Sequence, residues 1–305
     1  MNGPQIAWLA DGKRLHLNHG PIDLIIETFG REAERRAAHA AAIARFQTIL
    51  EELVAELEEL RKPAGAAPRR FAGTTANRME DAVQKFHPEF ITPMAAVAGS
   101  VADEIMAAMC SAAEFDKAYV NNGGDIAIHL VPGSEMRAAI AGTGHGFADR
   151  LAIRAADPVR GIATSGWRGR SFSLGIADAV TVLAKDAAAA DAAATLIANA
   201  VDLPGHSAIT RQPANELSPD SDLGERLVTT GVGALSPAEV DEALDRGAAT
   251  AEGYRRRGLI VAVALFLNRE SRPCGNVASA SDVITEPKDP LTASPSTSSG
   301  WAPRR

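Results

Sequence analysis

Between Ala187 and Val201 every residue is Ala, Leu, Ile or Val except Asp191, Thr195 and Asn199, and no other segment restricts the fold as much. Asp186 stands before it as an N-cap, so the segment is predicted to be an alanine-rich helix. The three polar residues are four apart, which keeps them on one face with a drift of about 40° per step. A solvent-facing stripe would carry Glu, Lys or Arg, and a buried stripe would be apolar. Short oxygen-bearing side chains among alanines suit a pocket wall, where a hard cation such as Mg²⁺ takes carboxylate, hydroxyl and phosphate oxygens. The other reading is a small-residue helix that faces solvent or hydrogen-bonds a neighbouring strand, and the stripe alone leaves both open.

The rest of the chain mixes strands and helices without regular βαβ alternation, which predicts an α+β layered fold of mixed sheets packed with helices. Leu15 to Leu17 and Ile22 to Thr28 read as strands broken at His19-Gly20-Pro21. A long N-terminal helix is expected from Arg31 to Arg61. Its Phe46, Leu50, Leu53, Leu57 and Leu60 step by four, three, four and three, and Pro63 and Gly65 end it. A shorter helix is expected near Met79 to Phe86. Thr92 as cap and Pro93 at the first turn open another, with Met94, Val97, Val101, Ile105 and Met109 on one apolar face. Further strands are expected at Tyr119 to Ile128 around a Gly-rich turn, Met136 to Ala141, Leu151 to Ala155, Gly161 onward, Ala177 to Ala184 and Leu259 to Leu267. Leu203 to Leu223 is turn-rich, and Ser236-Pro237-Ala238-Glu239 is a capping box for a helix reaching about Arg257. After Arg272 the chain turns to Ser, Thr, Pro and Ala. Residues 1–272 are therefore expected to form a single domain and 273–305 a disordered tail.

At 46% hydrophobic and 23% charged the chain has the make-up of a globular protein, not of a disordered one. A net charge of −7 with no long basic stripe gives it no electrostatic reason to hold nucleic acid. The two cysteines, Cys110 and Cys274, make neither a metal pair nor a disulfide framework. They are expected to be free thiols, Cys110 on a buried helix and Cys274 at the start of the tail. Neither a secretory h-region nor an apolar run of about 20 residues is visible, so the expectation is a soluble cytoplasmic protein without a membrane partner.

Two further segments bear on chemistry. Asn121-Asn122-Gly123-Gly124-Asp125 lets a phosphate or a ring lie against the backbone, although Asn-Gly is also the commonest hairpin turn. Thr164-Ser165-Gly166, followed by Arg168 and Arg170, offers hydroxyls and guanidinium groups to an anion, although as an isolated motif it is an ordinary polar loop. None of the seven histidines stands at metal spacing. Gly142-Thr143-Gly144-His145-Gly146 is Gly-rich but has the spacing of no nucleotide fingerprint.

Taken in order, the Gly123-Gly124-Asp125 turn, the Thr164-Ser165-Gly166 loop and the Ala190-Asp191-x-x-x-Thr195 helix resemble the ApbE superfamily, which includes the Mg-dependent FAD:protein FMN transferases. The closer resemblance is to a bacterial and archaeal branch labelled ApbE-related or thiamine-biosynthesis-like. It is carried by His19-Gly20-Pro21-Ile22-Asp23, by Ile91-Thr92-Pro93-Met94-Ala95-Ala96-Val97-Ala98-Gly99 and by Gly175-Ile176-Ala177-Asp178-Ala179-Val180, and runs from about residue 12 to 270. The resemblance implies that Asp191 and Thr195 hold Mg²⁺ beside the pyrophosphate of FAD or a related flavin. It implies that Gly123, Gly124, Asp125, Thr164, Ser165 and Gly166 shape the ligand site, and that the partner is a small phosphorylated molecule. Asp178 is a candidate for ordering Thr164 or Arg170. One departure stands out: the transferases' His-Ile-x-Asp-Pro-x-Thr-Gly segment has no counterpart in Ser171 to Asp178, so protein flavinylation is not expected. Besides a flavin or nucleotide transferase or hydrolase, two readings stand: a flavin or nucleotide carrier without turnover, and an interaction protein whose long helix makes a homo-oligomer.

Overall fold

The computed structural model describes residues 3–139 and 150–275. Its strands are β1 (Gln5–Trp8), β2 (Leu15–His19), β3 (Ile22–Phe29), β4 (Lys117–Asn122), β5 (Asp125–Leu130), β6 (Glu135–Ala139), β7 (Arg150–Arg154), β8 (Gly161–Ser165), β9 (Ala179–Ala184), β10 (Ile209–Pro213), β11 (Leu227–Val232), β12 (Ala262–Leu267) and β13 (Glu270–Cys274). Its helices are α1 (Glu32–Ala55), α2 (Leu57–Leu60), α3 (Thr74–Val83), α4 (Val97–Ala112), α5 (Ala187–Ala200), α6 (Ala214–Leu217) and α7 (Pro237–Arg256).

Nine strands form one antiparallel sheet in the order β1-β2-β3-β4-β5-β8-β9-β12-β13. In β2 and β3 alternate residues are buried, and Leu15, Leu17, Leu24 and Ile26 meet Phe46, Ile49 and Leu53 of α1 and Val101, Ile105 and Met109 of α4. Further along the same layer, α5 and α7 pack on β8, β9 and β12. The β6–β7 hairpin is a separate ladder, and its Ile153 packs with Ile162, Leu183 and Ala262 in a distinct cluster. Covered in this way, all six residues of β9 are buried, as a strand enclosed on both faces must be.

The long N-terminal helix stops earlier than its apolar steps suggested. At Glu56 the backbone turns to φ −110°, ψ 8°, and only the single turn α2 follows. Glu56 is drawn aside because its carboxylate accepts the Ala72 and Gly73 N–H groups at 2.7 and 3.0 Å, just before α3. The helix expected from Thr92 also differs. Pro93–Ala96 is a single 3₁₀ turn and α4 begins only at Val97. Thr92 caps nothing, since its hydroxyl bonds Asp222 instead. Pro93–Ala112 is long and apolar enough to cross a membrane by composition, yet half of it is buried inside this fold.

Four strands, β1, β10, β11 and β13, lie where none was expected. β10 and β11 pair antiparallel within and after the turn-rich stretch. β13 pairs with β12 through Pro273 and Cys274, so the boundary expected after Arg272 falls inside a strand. Cys110, expected on a buried helix face, is exposed near the end of α4, and both cysteines are free. The segment Gly142 to Gly146 and residues 276–305 lie outside the described residues.

Candidate functional site

The Gly-rich segment does fold as a hairpin turn, with Asn122 opposite Asp125 and with φ +66° at Gly123 and +118° at Gly124. Left-handed backbone of this kind is open to glycine at little cost. The turn is fastened by Gly124 N–H donating to Asn121 Oδ1 at 2.8 Å. It also does more than reverse the chain, because it sets Asp125 at the first position of β5. There the Asp125 carboxylate accepts the Thr164 N–H of β8 at 3.3 Å. The Thr164 hydroxyl shares a 2.9 Å hydrogen bond with that of Thr181 on β9. Gly166 is buried, and a Cβ there would stand 2.6 Å from the Asp178 carbonyl, so the chain can leave β8 along this path only as glycine.

Helix α5 brings the third element. Asp186 caps it by accepting Ala189 N–H at 2.7 Å, and Asp103 of α4 accepts the Ala187 and Ala188 N–H groups at 3.1 and 2.8 Å. Small residues at the crossing hold α4 and α5 close together, and at Gly99 a Cβ would lie 2.3 Å from the Ala187 carbonyl oxygen. Because α4 starts late, its first-turn N–H groups are free to meet Asp191, whose Oδ2 accepts Gly99 N–H at 2.9 Å. An anion at a helix N-terminus also gains from the helix dipole.

Asp191 and Asp125 sense each other. Burial raises the Asp191 carboxyl well above the usual range and the Asp125 carboxylate raises it further, while the Gly99 and Ala98 N–H groups oppose the shift. Burial pushes Asp125 up to about 7, against the pull of the Thr164 N–H and the Arg170 guanidinium. Asp191 thus lies within electrostatic reach of the Asp125 carboxylate, an arrangement that favours either a shared proton or a cation. Their hard oxygens fit Mg²⁺ or a similar ion. Among the described residues no three His, Cys, Asp or Glu side chains converge, so any ion here would complete its shell from hydroxyl, backbone, water or ligand oxygens. Thr195, half-buried one turn after Asp191 on the same helix face, makes no hydrogen bond with a described residue and presents one such hydroxyl.

The structure therefore gathers Gly123, Asp125, Thr164 and Asp191. It does not gather everything the motifs suggested. Asn199, third in the polar stripe, accepts the Leu174 N–H at 2.9 Å and anchors a loop. Asp178 orders neither Thr164 nor Arg170; it pairs with Arg168 at 2.6 Å and accepts the Asn268 N–H at 2.7 Å. Asp103 went unremarked in the sequence. The available signal was that Asp103 and Glu104 are the only charged residues in α4. Glu104 is spent on Arg45 and Arg78, which leaves Asp103 for the helix end.

A family model described as AbpE bacteria matches residues 6–278. Among curated proteins, a UPF0280 protein of Methanoregula boonei is 37% identical over 161 residues, covering 50% of this chain and 66% of that one. A UPF0280 protein of Methanothrix thermoacetophila is 37% identical over 182 residues, covering 56% and 71%. A third, from Archaeoglobus fulgidus, is 40% identical over 114 residues, covering 36% and 45%, so the chain spans 45% to 71% of the length of these relatives. Among solved structures, the flavin transferase ApbE from Vibrio cholerae aligns with a TM-score of 0.46 at 14% identity, over 87% of this chain and 97% of that one. The Pseudomonas stutzeri flavinyl transferase ApbE aligns at 0.45 and 12%, over 90% and 95%.

Proposed function

The chain belongs to the ApbE-related family described as AbpE bacteria, and from that premise we propose that its site binds a phosphorylated ligand of the flavin-nucleotide class together with Mg²⁺. The observation that carries this reading is the convergence of two carboxylates held by backbone N–H groups of separate elements, Asp125 by Thr164 of β8 and Asp191 by Gly99 in the first turn of α4. In this reading Asp191 and Thr195 hold the metal. Gly123 and Gly124 let the ligand approach the backbone, and Thr164, Ser165 and Gly166 form the facing wall. Bound Mg²⁺ would supply charge neutralisation at phosphate oxygens and polarise a pyrophosphate for transfer or hydrolysis. Asp125 holds the Thr164 backbone in place and offers a second carboxyl within electrostatic reach of Asp191.

A second reading, a carrier without turnover, is favoured by one specific observation. The segment from Ser171 to Asp178 carries no histidine and is tied down through Leu174 to Asn199 and through Asp178 to Arg168. The test is calorimetric titration of FAD into the protein with and without Mg²⁺, followed by chromatography of the nucleotide after incubation. Mg²⁺-dependent binding is expected, and its absence overturns both readings. Cleavage of FAD assigns the enzyme; intact FAD after long incubation assigns the carrier. Labelling of an acceptor protein at the rate of a true FMN transferase would contradict the expectation drawn from the missing histidine segment.

A further inference from the structure

Arg170 lies in the loop between β8 and β9, and neither the metal position nor the hairpin turn uses it. Its guanidinium rests on Gly123. A Cβ built at Gly123 would stand 1.9 Å from a terminal guanidinium nitrogen and 3.1 Å from Cζ. With φ at +66°, the position is closed to an ordinary side chain by backbone conformation as well. The missing side chain is therefore a seat, and the guanidinium occupies it.

The contrast with Arg168 shows what this seat leaves available. Arg168 is committed, paired with Asp178 at 2.6 Å and stacked 4.6 Å above the Trp167 ring. Arg170 is exposed and forms no ion pair with a described residue. Its positive charge is felt by Asp125, whose carboxylate is in turn felt by Asp191. The site thus links a guanidinium to Asp125, Asp125 to Asp191, and Asp191 to the Gly99 N–H at the start of α4. An anionic ligand reaching from Arg170 toward Asp191 meets positive charge first and then a carboxylate pair able to hold a cation. A planar guanidinium with free donors grips a phosphate through two parallel hydrogen bonds, which a lysine cannot reproduce.

We propose that Arg170, seated over Gly123, is the anion clamp of this site and selects ligands carrying a phosphoanhydride, with one phosphate on the guanidinium and the next toward Asp191 and Thr195. This rests on the reading of the site given above and deepens it by naming the group that separates a nucleotide from its unphosphorylated base. Because Arg170 is exposed in a loop, its replacement leaves the core untouched.

The test is titration of FAD and of riboflavin, each with Mg²⁺, into the full chain, into Arg170→Gln, into Arg170→Lys and into Gly123→Ala. Arg170→Gln is expected to weaken FAD by about 10- to 100-fold, the effect of losing a charged hydrogen-bond pair, while riboflavin binding stays unchanged. Arg170→Lys restores part of the loss. Gly123→Ala evicts the guanidinium and weakens FAD although the arginine remains. Equal FAD affinity of the full chain and Arg170→Gln overturns the clamp and leaves the site reading standing. Equal loss of FAD and riboflavin also overturns it, because the arginine would then act on the fold or the ring. Failure of the full chain to bind FAD overturns both.

Discussion

Replacing Gly99 by alanine is the sharpest test of how the site is assembled. In an open helix interior the substitution stabilises by about 1 kcal/mol, because alanine loses less backbone freedom on folding. At Gly99 the new Cβ would meet the Ala187 carbonyl oxygen at 2.3 Å, its carbon at 2.5 Å and the Ala188 nitrogen at 2.8 Å. These are backbone atoms, so no rotamer change relieves the contact and α4 must move away from α5 by about an ångström to reach ordinary contact. Such overpacking costs about 1–3 kcal/mol. The movement also stretches the Asp103 bonds to Ala187 and Ala188 and the Asp191 bond to Gly99, each a hydrogen bond to a carboxylate worth about 1.5–3 kcal/mol. With these bonds only partly lost, a net destabilisation of about 2–4 kcal/mol is expected, a fall in Tm of about 4–16 °C for a domain of this size. Gly253 on α7 is the control. Nothing lies within 4 Å of its Cβ position, so Gly253→Ala should raise Tm by about 2–4 °C. Both variants are read by scanning calorimetry. A Gly99→Ala protein that melts at or above the parent would refute the close α4–α5 crossing on which the placement of Asp191 depends.

Asp191→Asn removes one of two facing charges while keeping the shape and an acceptor. Tm without Mg²⁺ at pH 7.5 should hold or rise, whereas Mg²⁺-dependent FAD binding measured by calorimetry should fall at least about tenfold; unchanged binding contradicts the metal assignment. Asp103 is pushed up to about 7 by burial, so the folded state keeps a proton that the unfolded chain has released. The stability linked to that proton is present below the unfolded value of 3.8 and is lost as pH rises through about 7. Melting curves should therefore show Tm declining from pH 5 to 7.5, and less steeply in Asp103→Asn; identical slopes would exclude Asp103 as the source. Thiol titration of the native, unreduced protein should find Cys110 fast and half-buried Cys274 slow, with both reactive after denaturation.

Much of the site was legible because turn chemistry and helix spacing are local. Two glycines after Asn122 announce a hairpin whatever surrounds them, and the hairpin delivers Asp125. The polar stripe shows the limit of that reasoning. Spacing places Asp191, Thr195 and Asn199 on one face, but the face drifts, and Asn199 ends against Leu174 while Asp191 meets α4. What decided their roles was a neighbour distant in sequence. The seat of Arg170 on Gly123 is illegible for the same reason, since residues 47 apart meet only after the chain reverses through β5 and β8. The fold was legible where burial imposes a period, as in β2 and β3, or a continuous apolar run, as in β9, and illegible at half-exposed edges. β10 alternates only between half-buried and exposed positions, and Arg211 joins it to Asp202 by an ion pair that no periodicity records. β13 contains Pro273, tolerated because an edge strand can leave one side of its backbone unpaired.

Helix α5 is packed between β8 and β9 and helices α3, α4 and α7, and ten of its fourteen residues are buried. Its amide protons sit behind the chain's own core, so hydrogen exchange along α5 should proceed only through global unfolding, at the slowest rate in the molecule. The residue proposed to carry the metal is thus fixed to the part of the protein that breathes least. Fast exchange is expected instead in the exposed run from Arg168 to Phe172. A ligand entering such a site finds one immovable wall and one yielding one, and differences in exchange between free and bound protein should be confined to the yielding side.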